Sequence, residues 1–294
     1  GARRLEKPRQ LTLADGRVLS FIEQGAPDGR AVLALHGCFG GNRLPVDAEE
    51  LLKVHGLRWI APARPWHGKS NGAPDLLRDP SRYAKDLQAL IKHLGLNDIM
   101  LLGYDAGAAM ALCAAARLPE NTVRSVVLVS AIPPMRSLRD FAAAPTQQRI
   151  LAVAARLSVP LLRYLSVVGD RKLRAEGKEA FAQTVFNGSQ ADLSACEDKE
   201  ILDLMWNGHF FHVETGNDSF INDCRLIASD WSKHAAALVP PVHFIHGDAD
   251  AIVPLSWLKD FARERNAEVS VIRGAGHALL FSHWEPVISR LAVE

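Results

Sequence analysis

Asp105 stands at the centre of Gly103-Tyr104-Asp105-Ala106-Gly107, with a glycine two residues away on either side. A carboxylate is already ionised at neutral pH and can attack an electrophilic carbon directly, whereas a serine hydroxyl first needs a base. Farther along the chain, two aspartates, Asp248 and Asp250, follow an apolar run, and His277 closes the loop Gly274-Ala275-Gly276-His277. A histidine on a glycine loop can take and return a proton near neutral pH, and a neighbouring carboxylate can orient it. A nucleophilic carboxylate, an imidazole and an orienting acid are enough for covalent catalysis in which water resolves an ester.

These residues need rigid supports. Ile99 to Leu102 has strand character and an alanine-rich helical pattern follows Gly107, so Asp105 falls on a sharp strand-to-helix turn. Flanking glycines let such a helix pack on the strand while the central residue takes a strained conformation costing roughly 1 to 3 kcal/mol. Ala31 to Leu35, Val123 to Val129, Val242 to His246 and Glu268 to Ile272 read as further strands, and the Asp248/Asp250 pair and His277 each follow one of them. Arg9 to Leu13 and Arg17 to Glu23 flank Asp15-Gly16 and read as an opening hairpin. Asp79-Pro80 starts a helix whose apolar face is Tyr83, Leu87, Leu90, Ile91 and Leu94. The alternation of strand and helix implies a mostly parallel sheet covered on both faces. From about 134 to 237 no buried strand is found, a stretch far too long for a plain loop. Ile150, Leu151, Val153, Ala154 and Leu157 form a helical stripe there, followed by others over 161–168, 180–185 and 201–211.

The strand, the Gly-x-Asp-x-Gly turn and the helix together resemble the nucleophile elbow of the α/β-hydrolase family, and Asp105, Asp250, His277 is the chain order typical of that family. The resemblance covers nearly the whole chain and is nearest to general bacterial serine hydrolases. It implies an α/β fold with a mostly parallel eight-stranded sheet, residues 1–133 and 238–294 forming the core and 134–237 a helical cap after strand 6. It places Asp105 at the nucleophile position and His277 as general base. Asp250 becomes the acid, because the family's acid commonly precedes a proline by four positions and Pro254 fits. The loop His36-Gly37-Cys38-Phe39-Gly40-Gly41 is similar to the family's oxyanion loop, so the N–H of Cys38 or Phe39 would join that of Ala106 in an oxyanion hole. The same loop lacks the Gly-Lys-Ser/Thr ending of a phosphate-binding loop. Candidate substrate-binding residues are His36, Tyr104, Trp66, Tyr164 and Trp206. Trp66 replaces the family's usual glycine in the loop 64–70 and reads more readily as a turn with a solvent-facing indole.

Aspartate at the elbow marks the epoxide hydrolases and the haloalkane and fluoroacetate dehalogenases of this family. This chain departs from each. Phe39 stands where epoxide-opening members usually carry proline, the cap offers Tyr164 alone where they use two tyrosines, and Ala106 takes the place of the dehalogenases' tryptophan or arginine. Three readings stay open: a hydrolase forming a covalent ester on Asp105 from an epoxide or C–X electrophile, an esterase or lactonase scaffold whose elbow serine is replaced by Asp105, and a non-catalytic receptor for a small ligand.

Composition limits the partners. A chain of 294 residues with 48% hydrophobic content can bury a large core, and a formal net charge of +1 gives no overall field favouring nucleic acid or a charged membrane. A small-molecule substrate is expected, with no cofactor and no metal; nothing in the sequence reports the oligomeric state. His209 and His212 have the spacing of a helical metal pair but no further ligand pattern joins them, and Arg171 to Arg174 reads as a solvated basic face. Cys38, Cys113, Cys196 and Cys224 form no C-x-x-C pair, and no apolar run approaches the roughly 20 residues that span a bilayer, so a cytoplasmic protein with free thiols is expected. The basic start, with Arg3 and Arg4, has no apolar segment behind it, and the initial glycine suits a processed tag or an excised portion of a longer chain.

Overall fold

The computed structural model describes residues 7–294; Arg3 and Arg4 lie outside the described residues. Strands β1 (Arg9–Thr12) and β2 (Val18–Gly25) form the opening antiparallel pair, with positive φ at Gly16 in the turn between them. Six more strands follow: β3 (Arg30–Leu35), β4 (Leu57–Pro62), β5 (Ile99–Tyr104), β6 (Val123–Val129), β7 (Val242–Gly247) and β8 (Glu268–Ile272). Among the described residues they make one eight-stranded sheet in the order β1-β2-β4-β3-β5-β6-β7-β8. Every pairing from β4 to β8 is parallel.

Burial explains that order. Every residue of β5 is buried, as are five of the six in β3, because helices cover both faces of the central strands and leave no place for polar side chains. The edge strand β8 is half-exposed. In the core, helices α1 (Val46–Val54), α2 (Tyr83–His93) and α3 (Gly107–Arg117) connect the strands, and α3 buries an almost unbroken alanine-rich surface that permits close approach to β5. Between β6 and β7 come α4 (Leu138–Ala143), α5 (Thr146–Leu157), α6 (Val159–Glu176), α7 (Lys178–Val185), α8 (Gln190–Ala195), α9 (Lys199–Val213) and α10 (Asp218–Ile227). Helix α11 (Leu255–Glu264) links β7 to β8, and α12 (Leu279–Ser282) and α13 (Trp284–Val293) follow β8.

The stripe expected on α5 divides. Ala152 and Ala154 are buried and Leu151 is half-buried against the cluster that includes Leu162 and Ile221, whereas Ile150, Val153 and Leu157 are exposed. Among the described residues no helix is long and apolar enough to cross a membrane. All four cysteines are free.

Leu101, on β5, is fully buried at the centre of the sheet. Leu101→Ala should therefore destabilise the fold by about 2 to 5 kcal/mol, the cost of lost burial plus a residual cavity, read as a lower midpoint in urea unfolding.

Candidate active site

The turn from β5 into α3 holds Asp105 at φ 55°, the left-handed region that a residue with a Cβ rarely occupies. Its neighbours compel the shape. A Cβ on Gly103 would lie 2.6 Å from Cα of Ala108, and one on Gly107 would lie 2.2 Å from the Leu35 carbonyl oxygen. Only glycine at both places lets β5, α3 and the end of β3 converge. The Asp105 N–H donates to the Val129 carbonyl at 3.1 Å and its carbonyl accepts from Ala108 N–H at 3.1 Å. The side chain thus stands at the head of α3, where the helix's unpaired N–H groups favour negative charge.

Both carboxylate oxygens of Asp105 are engaged. Oδ1 lies 2.6 Å from His277 Nε2, and Oδ2 accepts from the Cys38 backbone N–H at 2.8 Å. On the other side of the imidazole, His277 Nδ1 lies 2.8 Å from Asp250 Oδ2. Asp250 is itself fixed, because its Oδ1 accepts from the N–H groups of Ile252 and Val253, each at 2.9 Å. Asp248 instead accepts from Gly274 N–H on the exposed side of the loop, away from the imidazole. Tyr104 donates its hydroxyl to the His277 carbonyl at 2.7 Å.

Burial alone would push the His277 imidazole toward the neutral form. The charge of Asp250, hydrogen bonds to both carboxylates and the charge of Asp105 overcome that and hold its pKa up at about 10. At neutral pH the site therefore contains an imidazolium between two carboxylates. Burial also works against the Asp250 charge, but His277 and the donors around it hold its pKa below the usual carboxylate range.

Above Asp105 opens a cavity of about 660 Å³, large enough for a drug-sized molecule. Asp105, Cys38 and Phe39 line it together with apolar side chains including Ile132, Leu151, Phe181, Met205 and Phe220. The five residues singled out for substrate binding do not line it. His36 is buried with Nδ1 on the Gly37 carbonyl and Nε2 accepting from Arg64 N–H. Tyr104 is fully buried beneath the His277 loop. Trp66 is half-buried at φ 71° and its indole packs against Gly72, so it is neither solvent-facing nor at the cavity. Tyr164 is 65% exposed on the outside of α6. Trp206 stacks edge-on between Phe181 and Phe210, one layer behind the wall. Phe39 lines the cavity and sets its ring edge-on to the His277 imidazole with centroids 5.1 Å apart.

Several contacts at the site join residues far apart in the sequence, so no local spacing announces the pairing. Arg64 and Asp223 form a buried two-bond ion pair at 2.7 Å for each bond, joining the loop after β4 to α10, and Asp223 Oδ2 also accepts from the Cys38 thiol at 3.2 Å. Burial would raise the Asp223 pKa, but the Arg64 charge and hydrogen bonds bring it down to about 2. His209 and Asp170 meet at 2.6 Å on the cavity wall. Beside Arg64, His36, His67 and His212 bring ring nitrogens within 4.8 Å of one another, the grouping among the described residues that could approach a metal. It fits one poorly: both nitrogens of His36 are committed to backbone groups, and the buried Arg64 guanidinium opposes a second cation. Burial first, with neighbouring positive charge, keeps all three rings neutral, His67 with its pKa at about 4.

The Arg64–Asp223 pair gives a direct stability test. Asp223→Leu leaves the guanidinium buried without its anion and should cost about 3 to 5 kcal/mol in urea unfolding, whereas Arg64→Met combined with Asp223→Leu should recover most of that loss. Because the folded-state Asp223 pKa is depressed, its contribution is present above its unfolded pKa near 3.8 and is lost as pH falls through about 2.

The sequence profile of the alpha/beta hydrolase family matches residues 32–290. A non-heme chloroperoxidase from Streptomyces lividans is 31% identical over 136 residues, a match spanning 44% of this chain and 47% of that one. A non-heme haloperoxidase from Rhodococcus erythropolis is 29% identical over 284 residues, 92% of each chain. The crystal structure of an epoxide hydrolase from Vigna radiata superposes with a TM-score of 0.66 over 97% of this chain and 96% of its own, at 21% identity, a likeness of fold. On the breadth of the family match and the shared fold, the chain belongs to the alpha/beta hydrolase family.

Proposed function

We propose that this protein is a cofactor-independent hydrolase that forms a covalent ester on Asp105 from a small, largely apolar substrate bearing an epoxide or a C–X bond. One observation carries the reading: Asp105 Oδ2 rests on the Cys38 N–H while Oδ1 faces His277, and the same carboxylate lines the cavity. Oδ1 attacks the electrophilic carbon, the carbon–leaving-group bond breaks, and the leaving atom takes the electron pair and a proton supplied by the His277 imidazolium. Esterification removes the Asp105 charge. His277 has then given up its proton and lost one of the two anions that held it, so neutral imidazole becomes available as a base. It takes a proton from water as the water attacks Asp105 Cγ, negative charge collects on Oδ2 where the Cys38 N–H meets it, and collapse releases the alcohol, which recovers the proton from His277. The proton left on the new Asp105 carboxyl passes to His277 and restores the resting site, so the sum is R–X plus water giving R–OH plus H–X or, for an epoxide, whose leaving oxygen stays joined to R, epoxide plus water giving one diol. We place the helices between β6 and β7 as the cap that supplies most of the cavity wall, and His277 and Asp250 as base and orienting acid. Four free thiols suit a reducing compartment such as the cytoplasm.

A second reading is favoured by the same two hydrogen bonds. The oxygens of Asp105 occupy both places a serine esterase uses, the hydroxyl's place on His277 Nε2 and the oxyanion's place on the Cys38 N–H. In that reading Asp105 replaces a serine, and the carboxylate blocks the oxyanion site of an ester hydrolase.

Trapping separates the two. His277→Gln removes the base for the second step and the proton donor for the first, so the trap uses a panel of alkyl halides, whose halide departs without a proton: the alkyl group should stay on the Asp105 peptide, and acid quench of the parent during epoxide turnover should leave the corresponding adduct, both seen by peptide mass spectrometry. An unmodified peptide across the panel, with Asp105→Ser gaining p-nitrophenyl ester hydrolysis that the parent lacks, would instead establish the replaced-serine reading.

A further inference from the structure

Asp192 lies in α8, outside the triad, and its side chain has no exposed surface. Its carboxylate does not serve its own helix. Oδ2 accepts from the His277 backbone N–H and Oδ1 from the Ala278 N–H, each at 2.9 Å, across 85 and 86 residues of chain. The opposite end of the His277 residue is held as well, since Tyr104 donates to its carbonyl at 2.7 Å. Gly276 makes the approach possible: a Cβ there would lie 2.4 Å from Asp192 Oδ1. The same segment reaches the imidazole by a second route. Phe186, just before α8, stacks on Phe39 with centroids 5.2 Å apart, and Phe39 meets the His277 ring edge-on.

A buried carboxylate is costly unless donors satisfy it, and these two N–H groups are its compensation. Hydrophobic residues could have filled this space without that cost. The carboxylate is therefore explained by what it holds, the backbone at the base of the imidazole.

We propose that Asp192 is a positioning residue through which the helices between β6 and β7 hold the His277 loop in register with Asp105 and Asp250. The claim rests on His277 as the working histidine and does not depend on which substrate forms the ester. If α8 moves away, the imidazole loses the anchor on its backbone, and triad geometry is coupled to the seating of those helices. A misplacement of about 1 Å at such a group can lower a rate by about 100-fold.

Two variants test it. Asp192→Asn removes one acceptor and the charge, whereas Gly276→Ala keeps the charge and pushes the carboxylate off the loop. The readout is the His277 Nδ1–H proton resonance, which the Asp250 hydrogen bond should shift far downfield, followed with circular dichroism as the control for folding. In each folded variant that resonance should move upfield or vanish by exchange. With any substrate that the parent turns over, kcat should fall about tenfold or more with KM unchanged. If Asp192→Asn does not fold, Gly276→Ala decides. An unchanged resonance in a folded variant overturns the proposal, and so does failure of both to fold, since Asp192 would then be a stability element. If the parent turns over no epoxide or alkyl halide while the variants still show the expected change in resonance, the proposed reaction is refuted and this inference stands.

Discussion

A histidine buried between two carboxylates is the constraint on which the rest of the site depends. Removing water from three ionisable groups is costly, and it is tolerable here because each charge meets an opposite charge or a backbone donor. Asp105 has His277 and the Cys38 N–H, and Asp250 has His277 and two further N–H groups. A serine at position 105 would leave the imidazole with one anion instead of two. The resting enzyme would then carry a base, whereas this chain carries an acid. The proposed reaction follows from that difference: the imidazolium is matched to a first step that expels a leaving group, and it turns into a base when the ester discharges Asp105.

The fold supplies these groups from distant elements. Asp105 comes from the turn between β5 and α3, the Cys38 N–H from the loop after β3, Asp250 from the loop after β7 and His277 from the loop after β8. The helices between β6 and β7 tie into the same points. Asp223 of α10 neutralises Arg64 and accepts from the Cys38 thiol, while Asp192 of α8 grips the His277 backbone. These helices supply many of the residues that line the cavity and also touch the residues flanking Asp105 on two sides.

Much of the fold is legible in the sequence because burial on both faces leaves continuous apolar runs such as Ala31 to Leu35, and because Gly103 and Gly107 mark a turn that only glycine permits. The structure brings Asp105, Asp250 and His277 together from positions 172 residues apart at the extremes. Phe39, Phe181 and Phe220 line the cavity, but the tyrosine and tryptophan candidates lie elsewhere. Tyr104 alternates inward at the end of a strand and spends its hydroxyl on the His277 carbonyl, Trp206 packs a layer behind the wall, and Tyr164 faces out. Side-chain identity does not tell which layer a residue occupies. Arg64 with Asp223, and Asp192 with the His277 loop, pair over long separations, so no spacing announces them; Asp192 reads locally as an ordinary acid in a helix's first turn.

The central claim is that Asp250 and Asp105 together keep His277 protonated, and a nitrogen-detected NMR titration of the His277 imidazole in the parent and in Asp105→Asn tests the Asp105 share most directly. The account predicts a doubly protonated ring in the parent at pH 7, titrating near pH 10, with a pKa clearly lowered when Asp105 is made neutral. A neutral ring at pH 7 in the parent, or a pKa unmoved by Asp105→Asn, would contradict it.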